Sequence, residues 1–399
     1  MLQLEEARER ILAAIQPLAA ETVLLSAAAR RFLASDVVAP IDLPPFDNSA
    51  VDGYAVRAED TKSASQDSPM SLRPALRIPA GADLRGSLQP GTCARIFTGS
   101  PLPTGADAVV MQEDVTAERD EILFREPGKP WENVRLQGED VKSGSVVLRM
   151  GEPLAPGAVA LLGALGLQAV AVCRRPVVEV LGTGDELQET GAPLGPGRIY
   201  ESNRAALASL LERDGAIAKI FPLVSDNLDE TRTALRHALE TSDAVITTGG
   251  VSVGELDFVK EAFTNLGGDL DFWRVAIKPG KPFVFGKWEG KFLFGLPGNP
   301  VSAFVTALML VRPAILRWQG AVETRLPSHP AVAAEAFTNR GGRRHFMRVR
   351  VDNAGRAHLT GAQASHLLVS LAHANGLVDV PPNTVIEQGA PVEVMRFDF

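Results

Sequence analysis

A glycine-rich turn past the middle of the chain has the composition of a phosphate-binding loop. Residues 247–257 (TTGGVSVGELD) pass from an apolar strand through a glycine pair to the start of a helix. Glycine lets the backbone approach a ligand closely, and the free N–H groups at a helix start attract anions. The run lacks the third glycine of the dinucleotide fingerprint and the Gly-Lys-Ser/Thr of a P-loop. We therefore predict phosphate binding outside the named nucleotide motifs, by Gly249, Gly250, Val251, Ser252 and Gly254.

Two further turns offer backbone donors to an anion. Residues 295–302 (GLPGNPVS) place Asn299 where a helix N-cap is expected, and Pro300 at the first helical position. Residues 97–107 (FTGSPLPTGAD) follow a strand and carry hydroxyl groups on a Gly/Pro loop. Both runs also suit ordinary turns, and their composition alone does not separate the two interpretations. The candidate binding residues in the first of them are Pro297, Gly298 and Asn299.

Carboxylates follow the first strand of the same region. Asp185 and Glu186 come shortly after the apolar run 177–181. Ligands of open α/β sheets collect at the carboxyl ends of strands, and neighbouring carboxylates are good ligands for a hard cation such as Mg²⁺. The same residues also suit the N-terminus of a helix, where negative charge is favoured. Both interpretations stay open at this point.

Two lysines occupy a stiff, proline-containing turn. Lys278 and Lys281, in the run KPGKP, are flanked by apolar residues. A lysine in apolar surroundings is costly unless it meets an opposite charge, and an anionic ligand would supply one. Solvated turn lysines are the alternative.

A polar turn near the N-terminus is the last candidate. Residues 44–54 (PPFDNSAVDGY) crowd Asp52 and three other polar residues before a strand. A turn stabilised by its own side chains explains the same composition.

The bulk composition narrows the class of protein. The chain has 399 residues, a formal net charge of −8 and 45% hydrophobic residues, which is typical of a multidomain globular protein. The acidic total disfavours a general nucleic-acid binder. Cys93 and Cys173 lie far apart and indicate neither a disulfide framework nor a zinc site, which suits a reducing cytosol. We expect no secretory signal, no nucleic-acid partner and a cytoplasmic location.

The elements that position these turns follow from hydrophobic periodicity. Residues 4–18 predict an amphipathic helix, and 24–34 predict a second short helix. Short apolar runs between Pro and Gly predict a β-rich region from 40 to about 140, with strands at 54–56, 76–79, 94–97, 108–111 and 121–124. Alternating strands and helices over 176–318 predict βαβ units and a mostly parallel sheet. The predicted elements there are strands at 177–181, 217–223 and 244–247, and helices at 202–213, 228–240 and 301–316.

Two other stretches complete the organisation. The apolar run 157–173 predicts a buried helix, a turn and a strand, with a membrane span as the open alternative. Residues 320–399 return to short strands and turns, typical of a small β domain. Three glycine-rich turns, two lysines and several carboxylates at one edge of one sheet together predict a site for a multiply anionic ligand and a divalent metal.

In this order, the segments resemble the MoeA proteins and the homologous C-terminal domain of gephyrin. The resemblance runs essentially end to end and includes Ser365-His366 and residues 374–377. Two positions depart from the expected pattern of this family. Position 201 is Glu where Asp is as readily expected, and positions 255 and 256 are Glu and Leu where the family often has a different pair. The runs that carry the resemblance are DNSAVDGYAV, FTGSPLPTGADAVV, GTGDEL, YESN, TTGGVSVGELDFV, KPGKP and GLPGNPVSA.

The resemblance implies a multidomain α/β plus β protein that forms an elongated homodimer. Its implied parts are an N-terminal linker and dimer domain (1–40 with 140–175), an inserted β-rich domain (41–139), a MogA-like molybdopterin-binding α/β domain with a mostly parallel sheet (176–319) and a small C-terminal β domain (320–399). It also implies the reaction, in which adenylylated molybdopterin and molybdate give molybdenum cofactor and AMP with the help of Mg²⁺. A molybdopterin adenylyltransferase and downstream cofactor-transfer proteins are further expected partners.

The resemblance assigns roles to particular residues. Asp185, Glu186, Asp226 and Asp257 are expected to hold Mg²⁺ or to position the anhydride, and Lys278 and Lys281 to neutralise the anions. Asp52 and Thr98 match family positions linked to activity, and we expect them to act on molybdate or on the metal exchange. Arg348 and Ser365 are candidate molybdate contacts.

Two rival functions remain open from the sequence. The preceding step, adenylylation of molybdopterin by ATP, belongs to proteins that resemble only the central region. A catalytically silent dimeric scaffold is a rival of another class, since the gephyrin relative also binds receptor segments. The additional N- and C-terminal regions favour insertion, and the acidic and lysine positions disfavour a silent copy.

Overall fold

The computed structural model describes residues 1–83, 86–250 and 258–398. The α-helices in these residues are α1 (Leu4–Ala14), α2 (Ala58–Thr61), α3 (Pro156–Ala164), α4 (Asn203–Arg213), α5 (Leu228–Thr241), α6 (Phe258–Asn265), α7 (Pro300–Thr306), α8 (Arg312–Trp318) and α9 (Leu368–Ala372). Short 3₁₀ turns cover Leu25–Ala27 and Gln112–Asp114, and a π-helical turn covers Ala307–Val311.

The strands fall into three groups along the chain. The first group is β1 (Ala20–Leu24), β2 (Val37–Val38), β3 (Asn48–Ser49), β4 (Gly53–Val56), β5 (Met70–Ile78), β6 (Thr92–Ile96), β7 (Ala108–Met111), β8 (Val115–Glu118), β9 (Glu121–Phe124), β10 (Val134–Arg135), β11 (Val146–Leu148) and β12 (Ala169–Cys173). The second is β13 (Val177–Gly182), β14 (Leu187–Gln188), β15 (Ile199–Tyr200), β16 (Ile217–Ile220), β17 (Ala244–Thr248), β18 (Asp269–Arg274), β19 (Ile277–Lys278), β20 (Pro282–Trp288) and β21 (Lys291–Leu296). The third is β22 (Ser328–Ala333), β23 (Phe337–Asn339), β24 (Arg344–Val351), β25 (Arg356–Leu359), β26 (Gly376–Val380), β27 (Thr384–Ile386) and β28 (Pro391–Arg396).

Two small pairings join the start of the chain to the segment before residue 175. β1 pairs antiparallel with β12, and β2 pairs antiparallel with β11. The predicted helix at 24–34 is therefore wrong, because Leu24 pairs with Ala169 in β1 and only a 3₁₀ turn follows it. Pairing with a distant strand has overridden the local helical pattern.

The apolar run 157–173 forms the predicted helix, turn and strand, as α3 and β12. Its predicted burial is wrong for the helix, since Leu162 is the buried residue of α3. The exposed positions of this apolar helix include Ala160 and Gly163. A helix of such composition normally has a partner over its exposed face.

The β-rich region forms a six-stranded sheet in the order β7-β4-β6-β5-β9-β8. The five predicted strands of this region correspond to β4, β5, β6, β7 and β9. Two apolar clusters fill the region, one around Phe124 and one around Ile96.

The central sheet has the order β16-β13-β17-β21-β20-β18. The strands β16, β13, β17 and β21 are mutually parallel, while β20 and β18 run antiparallel to their neighbours. This confirms the mostly parallel sheet, and α4 and α5 lie where the helices 202–213 and 228–240 were predicted.

One apolar helical stretch packs at the centre of the fold. Residues Pro300–Trp318 form α7, the π-helical turn and α8, and they are long and apolar enough to cross a membrane, but 89% of the stretch is buried inside the protein. Pro313 has no N–H to continue an α-helical ladder, and the π-helical turn precedes it. Leu4 and Ile11 of α1 belong to the same core cluster, so the opening helix packs on the central region.

The C-terminal region closes into a small barrel. Its strands are ordered β24-β25-β22-β28-β26, and β26 pairs back to β24. The short strand β19 of the central region joins this barrel by parallel pairing with β24, with Lys278 opposite His345. The pairing of β19 with β24 therefore helps to hold the lysine turn against the C-terminal barrel.

Candidate functional site

Three parallel strands of the central sheet end side by side. Gly182 of β13 pairs with Thr248 of β17, and Thr248 pairs with Leu296 of β21. The turns that follow these strands therefore leave the sheet together, because parallel strands present their carboxyl ends at one edge. The predicted convergence is confirmed for the turns at 182–186, 247–257 and 295–302, as far as the structure describes them. The turn at 97–107 lies in the β-rich region and lines neither cavity described below.

A cavity of about 610 Å³ lies at this edge, and we call it the strand-end cavity. Its lining combines glycine- and proline-containing turns with the larger side chains of Leu187, Ile199 and Tyr200. The Tyr200 hydroxyl donates to the Ala192 carbonyl at 3.0 Å, which fixes the ring. The predicted site residues that line this cavity are Glu186, Gly249, Gly250, Pro297, Gly298 and Asn299.

The glycine pair is required by close backbone packing. Gly249 has a φ of 88°, and a Cβ there would lie 2.6 Å from the Thr183 carbonyl oxygen. The hydroxyl Oγ1 of Thr183 is buried without a hydrogen-bond partner and lines the cavity. A buried hydroxyl of this kind usually meets a ligand or water, so Thr183 is a site residue that the sequence analysis missed.

Two carboxylates meet beside the strand-end cavity. The backbone N–H of Asp226 donates to Oδ1 of Asp185 at 3.2 Å, and the N–H of Asp185 donates to Oδ2 of Asp226 at 3.3 Å. Burial raises the pKa of Asp226, with contributions from the charges of Asp185 and Glu186 and an opposing contribution from the Asp185 N–H. The second oxygen of each carboxylate takes no part in these two hydrogen bonds and is free to bind a shared cation.

The fourth predicted metal ligand, Asp257, lies outside the described residues, as do Val251, Ser252 and Gly254. Within the ranges that the structure describes, no three His, Cys, Asp or Glu side chains are grouped as a ready metal site. The Asp185–Asp226 pair is accordingly the part of the predicted metal set that the structure brings together.

The run YESN anchors the floor of the strand-end cavity. Glu201 is buried and accepts from the backbone N–H groups of Asn203 and Arg204, at 2.6 and 3.0 Å. The Asn203 amide donates to the Gly298 carbonyl at 2.8 Å. Helix α4 is thereby tied to the turn after β21, which fixes one wall of the cavity.

A second cavity, of about 830 Å³, lies between the lysine turn and the C-terminal barrel. We call it the basic cavity, because Lys278, Lys281 and Arg343 line it and no carboxylate does so among the described residues. Its remaining polar lining includes Asn299, Ser302, Thr338, His345, Gln363 and Ser365. An excess of positive charge in a concave site favours an anionic ligand.

The lysine turn is shaped by its glycine. Gly280 has a φ of 107°, and a Cβ there would lie 2.3 Å from Cγ2 of Thr306. Lys278 and Lys281 are both exposed. They face solvent in the cavity mouth, so neither is a desolvated lysine in need of a protein partner.

The C-terminal wall of the basic cavity comes from alternate positions of one extended segment. Arg343, His345 and Met347 line the cavity, as expected for residues two apart in β24 and just before it. Arg348 does not line the cavity. It is fully buried, and its guanidinium donates to the carbonyls of Ala362 and Ala364 at 3.0 and 3.2 Å.

Arg348 therefore supports the loop that forms a wall of the basic cavity. Burial lowers the pKa of Arg348 to about 10, and its Nη1 has no hydrogen-bond partner. Its charge lies behind the loop 362–365, which includes the predicted contact Ser365. Ser365 itself lines the cavity.

The two cavities adjoin. Pro282 and Asn299 line both of them. Asn299 precedes α7 at the N-cap position, but its side chain makes no capping hydrogen bond. The predicted capping role is wrong, and the amide is left exposed between the two cavities.

Asp52 and Thr98 lie in the β-rich region, and neither lines either cavity. Thr98 donates to Oδ1 of Asp52 from its backbone N–H at 2.8 Å and from its hydroxyl at 2.9 Å. These hydrogen bonds lower the pKa of Asp52, so its exposed carboxylate is ionised. The two residues form one unit, apart from the cavities in the single chain.

Several lining residues had no signal in the sequence. His345 sits in a strand of ordinary alternation, and Arg343 is one of several arginines around it. Their role depends on the pairing of β19 with β24, which joins segments more than sixty residues apart, as the Arg343–Ile277 hydrogen bond (66 residues) illustrates. Tyr200 and Asn203 could have been suspected, because both belong to the run YESN with Glu201.

Family models match most of the chain. Residues 2–166 match the MoeA N-terminal region (domain I and II), 179–317 match a probable molybdopterin binding domain, and 330–397 match the MoeA C-terminal region (domain IV). The three matches follow one another in the order of the chain.

Proteins of known sequence and structure are similar over nearly the full length. A molybdopterin molybdenumtransferase of Haemophilus influenzae is 42% identical, over 94% of this chain and 93% of that protein. Molybdopterin molybdenumtransferase 2 of Mycobacterium tuberculosis is 41% identical, over 95% of each chain. The crystal structure of a molybdopterin biosynthesis moeA protein from Pyrococcus horikoshii OT3 has a TM-score of 0.88 at 32% identity, covering 100% of both chains.

Proposed function

Because this chain belongs to the MoeA family and is a molybdopterin molybdenumtransferase, we propose that it joins its two substrates in the adjoining cavities. Adenylylated molybdopterin and molybdate react there, and AMP and molybdenum cofactor leave. The observation that carries this proposal is the shared lining of the two cavities by Asn299 and Pro282. A group bound in one cavity lies beside a group bound in the other.

The strand-end cavity takes the adenylylated pterin. Its glycine turns, the unpartnered Thr183 hydroxyl and the exposed Asn299 amide supply polar contacts for phosphate. Leu187, Ile199 and Tyr200 supply an apolar wall for a planar ring. A cavity of about 610 Å³ is within the range of small-molecule sites.

The basic cavity takes molybdate. Lys278, Lys281 and Arg343 attract the dianion, and Ser365 adds a hydroxyl donor. Arg348 holds the loop that carries Ser365 and adds a positive charge behind it.

The Asp185–Asp226 pair would hold Mg²⁺. The free oxygens of the two carboxylates are the hard donors that this ion prefers. Burial raises the pKa of Asp226, and the charges of Asp185 and Glu186 raise it further. A bound Mg²⁺ supplies charge neutralisation for the anhydride. Glu186 lines the cavity beside them.

We predict that Mg²⁺ raises the melting temperature at neutral pH and that Asp226→Asn removes this response. Since the folded-state pKa of Asp226 is raised, the ionised pair destabilises the fold increasingly as the pH rises through that pKa, and Mg²⁺ offsets this. At about 100 times its dissociation constant the ion stabilises the fold by about 2.7 kcal/mol. The response should fade at acidic pH, as Asp226 becomes protonated.

Thermal melting with and without Mg²⁺, across this pH range, measures the effect. Asp229→Asn is the matched control, because Asp229 is exposed at the start of α5 and pairs with Arg232 at 2.8 Å. It should respond to Mg²⁺ as the wild type does. An Asp226→Asn protein that responds equally would exclude this pair as the metal site.

The active form is a homodimer built on α3. This helix is apolar, yet its Ala160 is exposed, and the exposed Leu24, Val38, Val146 and Met150 belong to the same small region. Small side chains let two helices approach closely, and one patch meeting its own copy gives a closed two-fold dimer. Asp52 and Thr98, which reach neither cavity of their own chain, then act at the cavities of the second subunit.

We predict that Ala160→Glu converts the dimer to a monomer, because the interface would bury an unpaired charge. Sedimentation velocity should show association weakened by about 100-fold or more. Thr233→Glu, at an exposed position of the amphipathic α5, is the control and should remain dimeric. A dimeric Ala160→Glu protein would move the interface elsewhere.

Insertion is favoured over the two rival functions. Adenylyltransferases of the preceding step resemble the central region alone, whereas this chain also matches the N- and C-terminal regions of the MoeA family. A silent scaffold would need neither a basic cavity nor a carboxylate pair beside the strand-end cavity. The reducing cytoplasm, with an adenylyltransferase and cofactor acceptors as transient partners, is the compartment that we propose.

Reconstitution tests the function directly. A molybdenum-free apo-oxidoreductase is incubated with adenylylated molybdopterin, low molybdate, Mg²⁺ and the purified protein. We expect AMP release and oxidoreductase activity that both depend on the protein and on molybdate. Consumption of ATP with accumulation of adenylylated molybdopterin would assign the preceding step instead, and no reaction at all would support the scaffold.

A further inference from the structure

One buried side chain in the wall of the basic cavity has a ring nitrogen without a hydrogen-bond partner in the protein. His345 is 3% exposed, and its ring nitrogen Nε2 makes no hydrogen bond. Buried polar atoms are nearly always paired, and an orphan in a cavity wall indicates a group that binds there. The Nε atoms of Arg31 and Arg317 also lack a hydrogen-bond partner, but neither residue lines this cavity.

The surroundings of His345 specify the charge of that group. Lys278 lies opposite it on β19, Lys281 follows on the turn, and Arg343 and Arg348 flank it on its own segment. On its other side β26 presents Val380 in register. The charged groups that act on the ring among the described residues are thus all cationic, and they favour an anion as the missing partner.

The ring is neutral at physiological pH. Burial lowers the pKa of His345 to about 4, and the charges of Lys278, Arg348 and Arg343 act in the same direction. A neutral imidazole has one N–H donor and one acceptor nitrogen. An anion selects the form in which Nε2 carries the proton.

We propose that Nε2–H of His345 donates a hydrogen bond to molybdate in the basic cavity and orients it. This inference rests on the proposed function, which places molybdate there. The lysines are exposed and flexible and supply charge without direction, whereas His345 is fixed in a strand between two neighbours. A tetrahedral oxyanion held by one rigid donor keeps a defined face toward Asn299 and the strand-end cavity.

Molybdate binding to the full-length protein, measured by titration calorimetry, tests this role. His345→Phe keeps a planar ring without the donor, and we expect its affinity to fall by roughly tenfold. His345→Gln keeps an N–H donor and should lose less. His358→Gln is the control, because His358 lies at the surface, 2.9 Å from Asp352, and outside the cavity lining.

A direct readout separates ligand contact from a structural role. In protein with ¹⁵N-labelled histidine rings, the Nε2 signal that disappears in His345→Gln should shift when molybdate is added to wild type. This readout needs no activity and does not depend on the stability of His345→Phe. An Nε2 signal that stays in place at saturating molybdate overturns the proposal, as does unchanged affinity in a folded His345→Phe protein.

Reconstitution of the wild type in parallel separates the role of His345 from the proposed function of the protein. Protein-dependent cofactor formation together with an unmoved Nε2 signal removes the role of His345 and leaves the function intact. A shifted signal without any cofactor formation leaves the oxyanion contact standing and removes the function.

Discussion

Asp52→Asn is expected to abolish cofactor formation, with a loss of about 100-fold or more in the reconstituted reaction. Oδ1 of Asp52 accepts two hydrogen bonds from Thr98, and these lower its pKa, so the second oxygen carries exposed negative charge. Asparagine can keep its carbonyl oxygen on the Thr98 N–H while it removes that charge. The turn that Thr98 and Asp52 form should therefore stay folded, while cofactor formation should be lost.

The measurements are the rate of AMP release and the melting temperature of the same preparations. Asp42→Asn is a matched control, because Asp42 is an exposed carboxylate that accepts from the Ser143 N–H at 2.8 Å and from Gln137 at 2.7 Å. It should keep wild-type rates. Wild-type activity in Asp52→Asn would remove Asp52 from the mechanism.

A mixture of two variants, Asp52→Asn and Lys278→Met, tests whether Asp52 acts across the proposed dimer interface. A subunit carrying Asp52→Asn and a subunit carrying Lys278→Met are each inactive at low molybdate, but one active site of the mixed dimer receives both native residues. Mixing the two proteins should restore part of the activity if Asp52 acts across the interface. If the mixed dimer stays inactive, Asp52 acts at the cavities of its own subunit.

Lys278→Met is expected to raise the KM for molybdate by about 30-fold with little change in kcat. Opposite charges about 4 Å apart near a protein surface attract by about 4 kcal/mol, and we expect about half of this to be lost, since Lys278 is exposed and Lys281 and Arg343 remain. The variant should regain its rate at high molybdate.

Initial rates over a wide range of molybdate concentration measure this split. Lys287→Met is the control, because Lys287 lies on β20 outside both cavities, with its Nζ 3.7 Å from Asp271. A lower rate at every molybdate concentration, with a reduced kcat and an unchanged KM, would show that Lys278 acts on the anhydride or on the transfer step instead.

Local patterns in the sequence determined most elements of the central region. Apolar runs bounded by glycine marked β13, β17 and β21, and the parallel order followed from the helices between them. Parallel strands place their carboxyl ends together, so the meeting of Gly249 with Gly298 was also predictable. Such predictions succeed because the residues that decide them are neighbours in the chain.

Local patterns misled where a distant partner decided the outcome. The segment after Leu24 has helical periodicity but follows a strand that pairs with β12. Asn299 has the composition and position of an N-cap, yet its side chain is left free toward the cavities. Helix α3 looks like a core helix by composition, and the fold leaves most of it uncovered.

The sequence by itself determined the family, the order of elements and the glycine turns at one edge of a parallel sheet, because these depend on residue type and short spacing. Only the tertiary structure decided the basic cavity, the bracing of Asp185 by Asp226 across 41 residues and the unpartnered Nε2 of His345. Each of these depends on long-range pairing, above all β19 with β24. Residue type does not encode which distant strand becomes a neighbour, so the same histidine in another register would be an ordinary strand residue.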